Sequence, residues 1–329
     1  MLDEYRKGHV ERISPEAPVP ILTVVAREST LGGAGNVVAN LRSLGAGVTV
    51  VGVTGDDLTG DRITALLQKL AVDGSGIVRD IERVSTRKIR FVSLEHGQQV
   101  FRVDEESVNP VRGDVETRTI RLIRERASTC QVILCSDYLK GALTGNVLSA
   151  AFAAGREHRI PVVVAPKDSN PLIYTGATVL MPNLKELSRL VGSPVNGNQW
   201  LTDSATRLTA TLGLNALLVT RGSEGMSLFE QKRHDLELSR VDIPTMAQNV
   251  YDVTGAGDTA IAAFAVSIAS GGNFETAAHL ANVAAGVVVG KHGTATATIK
   301  EIQEHLKDEA SRSTERFSTE AILRTASAQ

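Results

Sequence analysis

Apolar residues in this chain come in short continuous runs rather than in strict alternation. Residues 48–53, 132–135, 162–165, 178–181 and 216–220 are β-branched or aliphatic almost throughout, and helical patterns separate them. A strand that is apolar on both faces is covered on both faces, so these runs predict a mainly parallel sheet between helix layers, a doubly wound α/β fold. Residues 86–94 and 98–104 differ. Their polar-interleaved arms around Glu95-His96-Gly97 predict an antiparallel hairpin outside that sheet. With the proline-rich segment 13–25, the hairpin makes a candidate β lid; the other reading is an ordinary surface hairpin. Residues 274–289 form a small-residue helical pattern with Asn273 as its expected N-cap. From residue 299 the pattern is charged and helical, and residues 309–329 read as a loosely held tail.

Composition narrows the classes. A chain of 329 residues, 42% apolar and 22% charged, has enough material for one large α/β core with a small appendage. A net charge of -2 offers no electrostatic footprint for nucleic acid. No apolar stretch is long enough to span a bilayer, and Asp3, Glu4, Arg6 and Lys7 interrupt any signal-peptide core. Cys130 and Cys135 lie on either side of an apparent strand, where they do not face each other, which suits a reducing cytoplasm. The seven histidines show no ligand spacing with the cysteines, so a zinc site is not expected.

Four segments carry candidate chemistry. Val253-Thr254-Gly255-Ala256-Gly257-Asp258-Thr259 runs straight into the apolar segment 260–264. Glycines at 255 and 257 allow close approach of a phosphate, the helix start supplies unpaired N–H groups, and Asp258 adds a carboxylate at the same place. A tight turn whose aspartate complements a helix dipole explains the same residues. Gly32-Gly33-Ala34-Gly35-Asn36 opens a helix with apolar positions 37, 38, 41 and 44; its spacing does not fit a dinucleotide loop, leaving a polar-ligand site or a plain turn. Asn183 and Glu186 fit a capping box, and the same carboxylate at the end of a parallel strand suits Mg²⁺ held through water. Thr220-Arg221-Gly222-Ser223-Glu224-Gly225 is a polar loop after a strand, a nucleotide contact or a hairpin turn.

Taken in order, these four segments resemble the ribokinase superfamily of carbohydrate kinases. The segments 12–20, 136–141 and 286–294 narrow the resemblance to the D-glycero-β-D-manno-heptose 7-phosphate kinases, which supply heptose for the lipopolysaccharide core. The resemblance implies a ribokinase-like three-layer α/β/α fold with a small β lid. It implies a kinase domain over residues 1–308, with the lid from about 8–30 and 84–104, and residues 309–329 as a tail or former linker. It assigns Asp258 as general base for the anomeric hydroxyl and Gly255, Ala256 and Gly257 as stabilisers of the transferring phosphoryl group. Asn183 and Glu186 would serve the phosphates of Mg·ATP, with Glu186 reaching the metal through water. Thr220, Arg221, Gly222, Gly225 and Asn282 would line the nucleotide site. Asp3, Gly32, Gly33, Asn36, Arg102 and Lys167 would contact the sugar phosphate, and Asp252 and Thr254 mark a monovalent cation site for K⁺. A cytoplasmic homodimer joined through the lid is expected, with neither nucleic acid nor membrane as partner. Another sugar or nucleoside kinase of the superfamily, and a sugar-phosphate binder without turnover, are the competing functions.

The chain departs from that family at three places. The family begins with a strand ending in glycine ahead of the segment Met1-Leu2-Asp3, so a truncated or misassigned start is expected. Ala165-Pro166-Lys167 stands where the family has Asp-Pro-Lys. Residues 316–323 resemble the linker that leads into a nucleotidyltransferase domain in bifunctional relatives; no such domain follows, and no adenylyltransferase activity is expected.

Overall fold

A computed structural model describes residues 1–95, 97–231, 238–247, 250–291, 293 and 295–307. The expected tail at 309–329, the linker-like segment 316–323, and residues 96, 292 and 294 lie outside the described residues.

The main sheet has six strands in the order β12-β11-β10-β9-β8-β7. They are β7 (Ile133–Ser136), β8 (Val162–Ala165), β9 (Val179–Leu180), β10 (Ala216–Thr220), β11 (Met226–Gln231) and β12 (Leu238–Ile243). Strands β7 to β10 are parallel, and β11 and β12 are added antiparallel. Burial of both faces follows from the continuous apolarity. Val162, Val164, Leu217, Val219 and Phe229 face one core, whereas Val163, Ala216, Leu218 and Leu228 face the other.

The first core is closed by α4 (Gly145–His158), α5 (Leu184–Val191) and α6 (Gly197–Leu212) through Leu148, Phe152, Leu187, Leu201 and Leu208. The second is closed by α1 (Ala34–Ser43), α7 (Ala256–Ala269) and α8 (Phe274–Val289). Every residue of α7 from Thr259 to Ala265 is buried, so this helix is apolar all round instead of amphipathic. Phe152 and Phe264 are fully buried, and each contributes about 1.5–3 kcal/mol of hydrophobic stabilisation. Asn273 caps α8 by accepting from Thr276 N at 2.7 Å, as its sequence predicts.

A separate four-stranded sheet has the order β2-β1-β5-β6, from β1 (Leu2–Ile13), β2 (Pro20–Leu31), β5 (Arg87–Ser93) and β6 (Gln99–Glu105). The antiparallel hairpin read at 86–104 is β5 and β6.

One strand differs from expectation. Residues 48–53 do not extend the main sheet; only Gly52–Gly55 form a strand, β3, which pairs with β4 (Ile77–Asp80) in a sheet of two. Of the residues before it, Thr49 makes a single bridge to Asp73. Among the described residues, β7 pairs with β8 alone, and β3 pairs with β4 alone. Helix α2 (Leu58–Lys69) follows β3, and α3 (Gly113–Ala127) packs on α4.

Candidate active site

Asp258 sits in the first turn of α7, where the chain enters the helix through Gly255 at φ 84°, a left-handed conformation that glycine adopts without steric cost. Among the described residues, nothing outside its own helix and chain neighbours lies within 4 Å of the position a Cβ would occupy on Gly257, so that position is open. First-turn N–H groups and the helix dipole favour an anion there.

Both oxygens of Asp258 are engaged. Asn36 Nδ2 donates to Oδ2 at 3.0 Å, and the Tyr138 hydroxyl donates to Oδ1. Asn36 is 2% exposed and is fixed from behind by Asn40, whose Nδ2 donates to the Asn36 carbonyl at 3.0 Å. Thr259 Oγ1 in turn donates to Asn40 Oδ1 at 2.9 Å, closing a buried polar chain between α1 and α7. Asn36 therefore serves the carboxylate from another element instead of its own turn. Burial pushes the Asp258 carboxyl up from its ordinary value; the Tyr138 and Asn36 hydrogen bonds and the Lys167 charge pull down, and Asp3 pushes up. The net rise makes this carboxylate a stronger proton acceptor than a solvated one.

At the carboxyl end of β9, Asn183 and Glu186 form the full capping box: Glu186 N donates to Asn183 Oδ1 at 2.9 Å, and Asn183 N to Glu186 Oε2 at 2.8 Å. The other Glu186 oxygen receives Lys167 Nζ. Glu186 is 7% exposed, so its charge is compensated by that ammonium in a poorly solvated place. Lys167 follows β8, and its N–H donates to Tyr174 Oη at 3.1 Å; Tyr174 Oη donates to buried Asp137 at 3.1 Å. Burial pushes the Asp137 carboxyl up and the Tyr174 hydroxyl up as well.

Asp3, at the start of β1, is almost fully buried and faces Arg90 Nη1 of β5 at 2.9 Å. That contact is an ion pair without hydrogen-bond geometry. Asp3 Oδ1 and Arg90 Nη1 are both buried and have no hydrogen-bond partner. Gly32 lies directly against this carboxylate, with 2.5 Å between Asp3 Oδ2 and a Cβ placed there, so any side chain at this position would displace Asp3. Gly33 is the N-cap of α1. Arg102, on β6, is half-exposed and pairs with Asp104 at 2.8 Å.

Residues 221–225 are the turn of the β10–β11 hairpin, so the turn reading of that loop is structurally correct. Thr220 N donates to the Pro182 carbonyl at 3.0 Å, which sets this turn beside the Asn183 cap. Gly222 begins its short 3-10 turn and Gly225 ends it. The Arg221 guanidinium is held within the hairpin by Ser227, Glu224 and Asp242. Asn282 of α8 is buried and donates to the Pro244 carbonyl at 2.7 Å, fixing the chain after β12. Asp252 accepts from Thr254 N at 2.9 Å and from Gly293 N at 3.1 Å, and so braces the loop ahead of Gly255. Among the described residues, no three His, Cys, Asp or Glu side chains form a metal cage. Glu186, with one oxygen in the cap and the other on Lys167, has no free oxygen for direct coordination, which fits only a magnesium ion that keeps its waters and is carried by nucleotide phosphates.

The profile of a family described as pfkB family carbohydrate kinase matches residues 5–301. The chain belongs to that family. As a pfkB-family member it is a kinase, and its curated relatives include the bifunctional protein HldE of Geobacter metallireducens, 46% identical over 302 residues, covering 92% of this chain and 60% of the relative. HldE of Bradyrhizobium diazoefficiens is 40% identical over 306 residues, covering 93% of this chain and 61% of that one. The chain thus spans about 60% of the length of the curated relatives it matches. The fold is ribokinase-like. Arabidopsis thaliana ribokinase, solved with ribose and ATP, matches with a TM-score of 0.71 at 21% identity, covering 93% of this chain and 96% of that one. Escherichia coli phosphofructokinase-2, solved with potassium, matches with a TM-score of 0.77 at 18% identity, covering 92% and 94%.

Within this pfkB kinase, three side chains at the site had no role assigned from sequence: Tyr138, Asn40 and Arg90. Tyr138 had a signal, since it directly follows an apolar run at the carboxyl end of a parallel strand, where α/β folds place ligands. Arg90 had none that separates it from its neighbours Arg87 and Lys88.

Proposed function

We propose that this pfkB kinase transfers the terminal phosphoryl group of ATP to the anomeric hydroxyl of D-glycero-β-D-manno-heptose 7-phosphate, giving the 1,7-bisphosphate for ADP-heptose and lipopolysaccharide core synthesis. The observation that carries the reading is the Asp258 carboxylate, made more basic by burial, in the first turn of a helix entered through Gly255 and beside the open Gly257 position. In the reaction the sugar oxygen forms a bond to the γ-phosphorus as the bond to ADP breaks, and the hydroxyl proton passes to Asp258. Main-chain amides at residues 255–257 stabilise the charge on the transferring group. Lys167, which influences Asp258 and pairs with Glu186, neutralises phosphate charge between them. Mg²⁺ bound with ATP supplies further charge neutralisation, and Glu186 with Asn183 would hold it through water.

Sugar hydroxyls are taken by Asn36 and by Asp3 in the cradle of Gly32 and Gly33. Arg90 joins Arg102 as a cation for the phosphate already on the sugar. Thr220, Gly222, Gly225 and Asn282 border the nucleotide side. A potassium ion is proposed beside Asp252 and Thr254. Exposed Ile13, Val25 and Phe101 on the four-stranded sheet suit a homodimer through the lid. No described helix is long and apolar enough to cross a membrane. Both cysteines are free, and we place the kinase in the cytoplasm.

The test is ADP release over a panel of heptose 7-phosphate, unphosphorylated heptose, fructose 6-phosphate, ribose and a nucleoside. Heptose 7-phosphate is expected to give the highest kcat/KM by about 100-fold or more. A higher value for another acceptor replaces the substrate assignment, and no ADP with any acceptor supports a binder without turnover.

A further inference from the structure

An asparagine side chain offers a neighbour either a donor or an acceptor, depending on which way its amide is turned. Ionised Asp258 only accepts, whereas protonated Asp258 can also donate. A freely turning Asn36 would serve both forms, its Nδ2 meeting the carboxylate and its Oδ1 meeting the carboxylic acid. Whatever holds Asn36 in one orientation therefore decides which form of Asp258 the site favours.

Asn40 lies one helical turn further along α1 and is fully buried. Its amide stands between two main-chain groups of fixed and opposite character. On one side its Nδ2 donates to the Asn36 carbonyl at 3.0 Å, and a carbonyl can only accept. On the other its Oδ1 accepts from Ala297 N at 3.3 Å, and a main-chain N–H can only donate. Reversing the Asn40 amide would set donor against donor and acceptor against acceptor in a buried place, which is costly. The Thr259 hydroxyl adds a bond to Asn40 Oδ1 at 2.9 Å but does not decide the orientation, because a hydroxyl donates or accepts. Ala297 is itself held in place: Lys291 Nζ donates to the adjoining Thr296 carbonyl at 2.7 Å and pairs with Glu301 at 2.6 Å.

With Asn40 fixed, its Nδ2 also faces Asn36 Oδ1, at 3.4 Å. The Asn36 oxygen is thereby turned to Asn40 and the Asn36 nitrogen to Asp258 Oδ2.

We propose that Asn40 is a positioning residue, which locks the Asn36 amide with its nitrogen toward Asp258 so that this side of the site accepts the carboxylate and not the carboxylic acid. The proposal rests on Asp258 as the base of the phosphoryl transfer proposed above. Of the other groups that face Asp258, the Tyr138 hydroxyl after β7 and the Lys167 ammonium after β8 also favour its charge, and Asp3 of β1 opposes it. Without the lock, Asn36 turns over when Asp258 takes up a proton, and its Oδ1 accepts from the new O–H. The acid form then gains a partner, and Asp258 needs a higher pH to act as a base.

The experiment reads two titrations in the parent, Asn40→Leu, Asn36→Leu and the double variant. One is the Asp258 carboxyl carbon followed by NMR in the free protein, and the other is the acid limb of kcat/KM for ADP release. Asn40→Leu is expected to move both upward by about one pH unit, and to move neither further in the Asn36→Leu background. A carboxyl in Asn40→Leu that titrates as in the parent overturns the proposal. So does an equal shift with and without Asn36, which marks a general effect of packing. A shifted carboxyl with an unmoved acid limb supports the lock and contradicts Asp258 as the base, so the two readings fail separately. If Asn40→Leu does not fold, the parent labelled with ¹⁵N-asparagine decides. The Asn36 Nδ2 hydrogens are expected to exchange about 100-fold more slowly than those of exposed asparagines on both sides of the Asp258 titration. Loss of that protection on the acid side, where a reversed amide would release them, overturns the proposal.

Discussion

The Tyr138 hydroxyl donates to Asp258 Oδ1 across a separation of 120 residues, joining the end of β7 to the start of α7. This bond stabilises the carboxylate and so opposes the effect of burial. Tyr138→Phe removes it. The acid limb of kcat/KM, which reports the free enzyme, is expected to move upward by about one pH unit. Asp258 then needs a higher pH to act as a base, and activity at neutral pH falls while Tm changes little. A pH profile that does not move contradicts this role for Tyr138.

Asp258 also sets a pH dependence of stability. Its folded-state carboxyl is raised by burial, so the favourable contribution is fully present below the unfolded value and is lost as pH rises through the folded one. At neutral pH the ionised, largely desolvated carboxylate costs stability. Asp258→Asn is therefore expected to be more stable than the parent in urea at pH 7, with the difference vanishing in acid. Equal or lower stability of the variant at pH 7 contradicts that sign.

Glu186 combines two jobs that substitution separates. Glu186→Gln keeps an oxygen for Asn183 N and preserves the cap, but it removes the charge paired with Lys167. The Mg²⁺ concentration for half-maximal rate is expected to rise about tenfold, with stability nearly unchanged. Glu186→Ala loses the cap as well, and about 1 kcal/mol of stability with it. Lys167→Met is expected to lower kcat about 100-fold.

The parts that were legible from sequence are local ones. Asn273 and the Asn183 and Glu186 pair cap helices through bonds spanning three residues, and continuous apolarity at 162–165 and 216–220 reports burial on both faces without knowledge of the partner strand. Glycine spacing around Asp258 likewise marked a helix start, which the structure places at Ala256. Partnerships between distant elements left no such trace. Asn36 and Asp258 are 222 residues apart, and the pattern around Asn36 serves a self-bonded turn equally well. Residues 48–53 failed for a related reason: apolarity predicts a strand, yet only pairing makes one, and β3 pairs with β4 alone among the described residues.

Asp3 and Arg90 test the sugar side. Arg90→Ala leaves a buried carboxylate without its cation and is expected to cost about 3 kcal/mol, read from the urea midpoint. The pair Asp3→Asn with Arg90→Met removes both charges and is expected to recover most of that loss. KM for the sugar phosphate stays at least about tenfold above the parent in the double variant, with KM for ATP unchanged. Recovery of sugar affinity along with stability contradicts a substrate role for these residues.

The most direct test of phosphoryl transfer with Asp258 as the base is the rate of ADP release by Asp258→Asn at saturating Mg·ATP and heptose 7-phosphate. The expected result is a fall in kcat of about 1,000-fold in a folded protein that still binds both substrates. A variant that keeps more than about a tenth of the parent rate contradicts it.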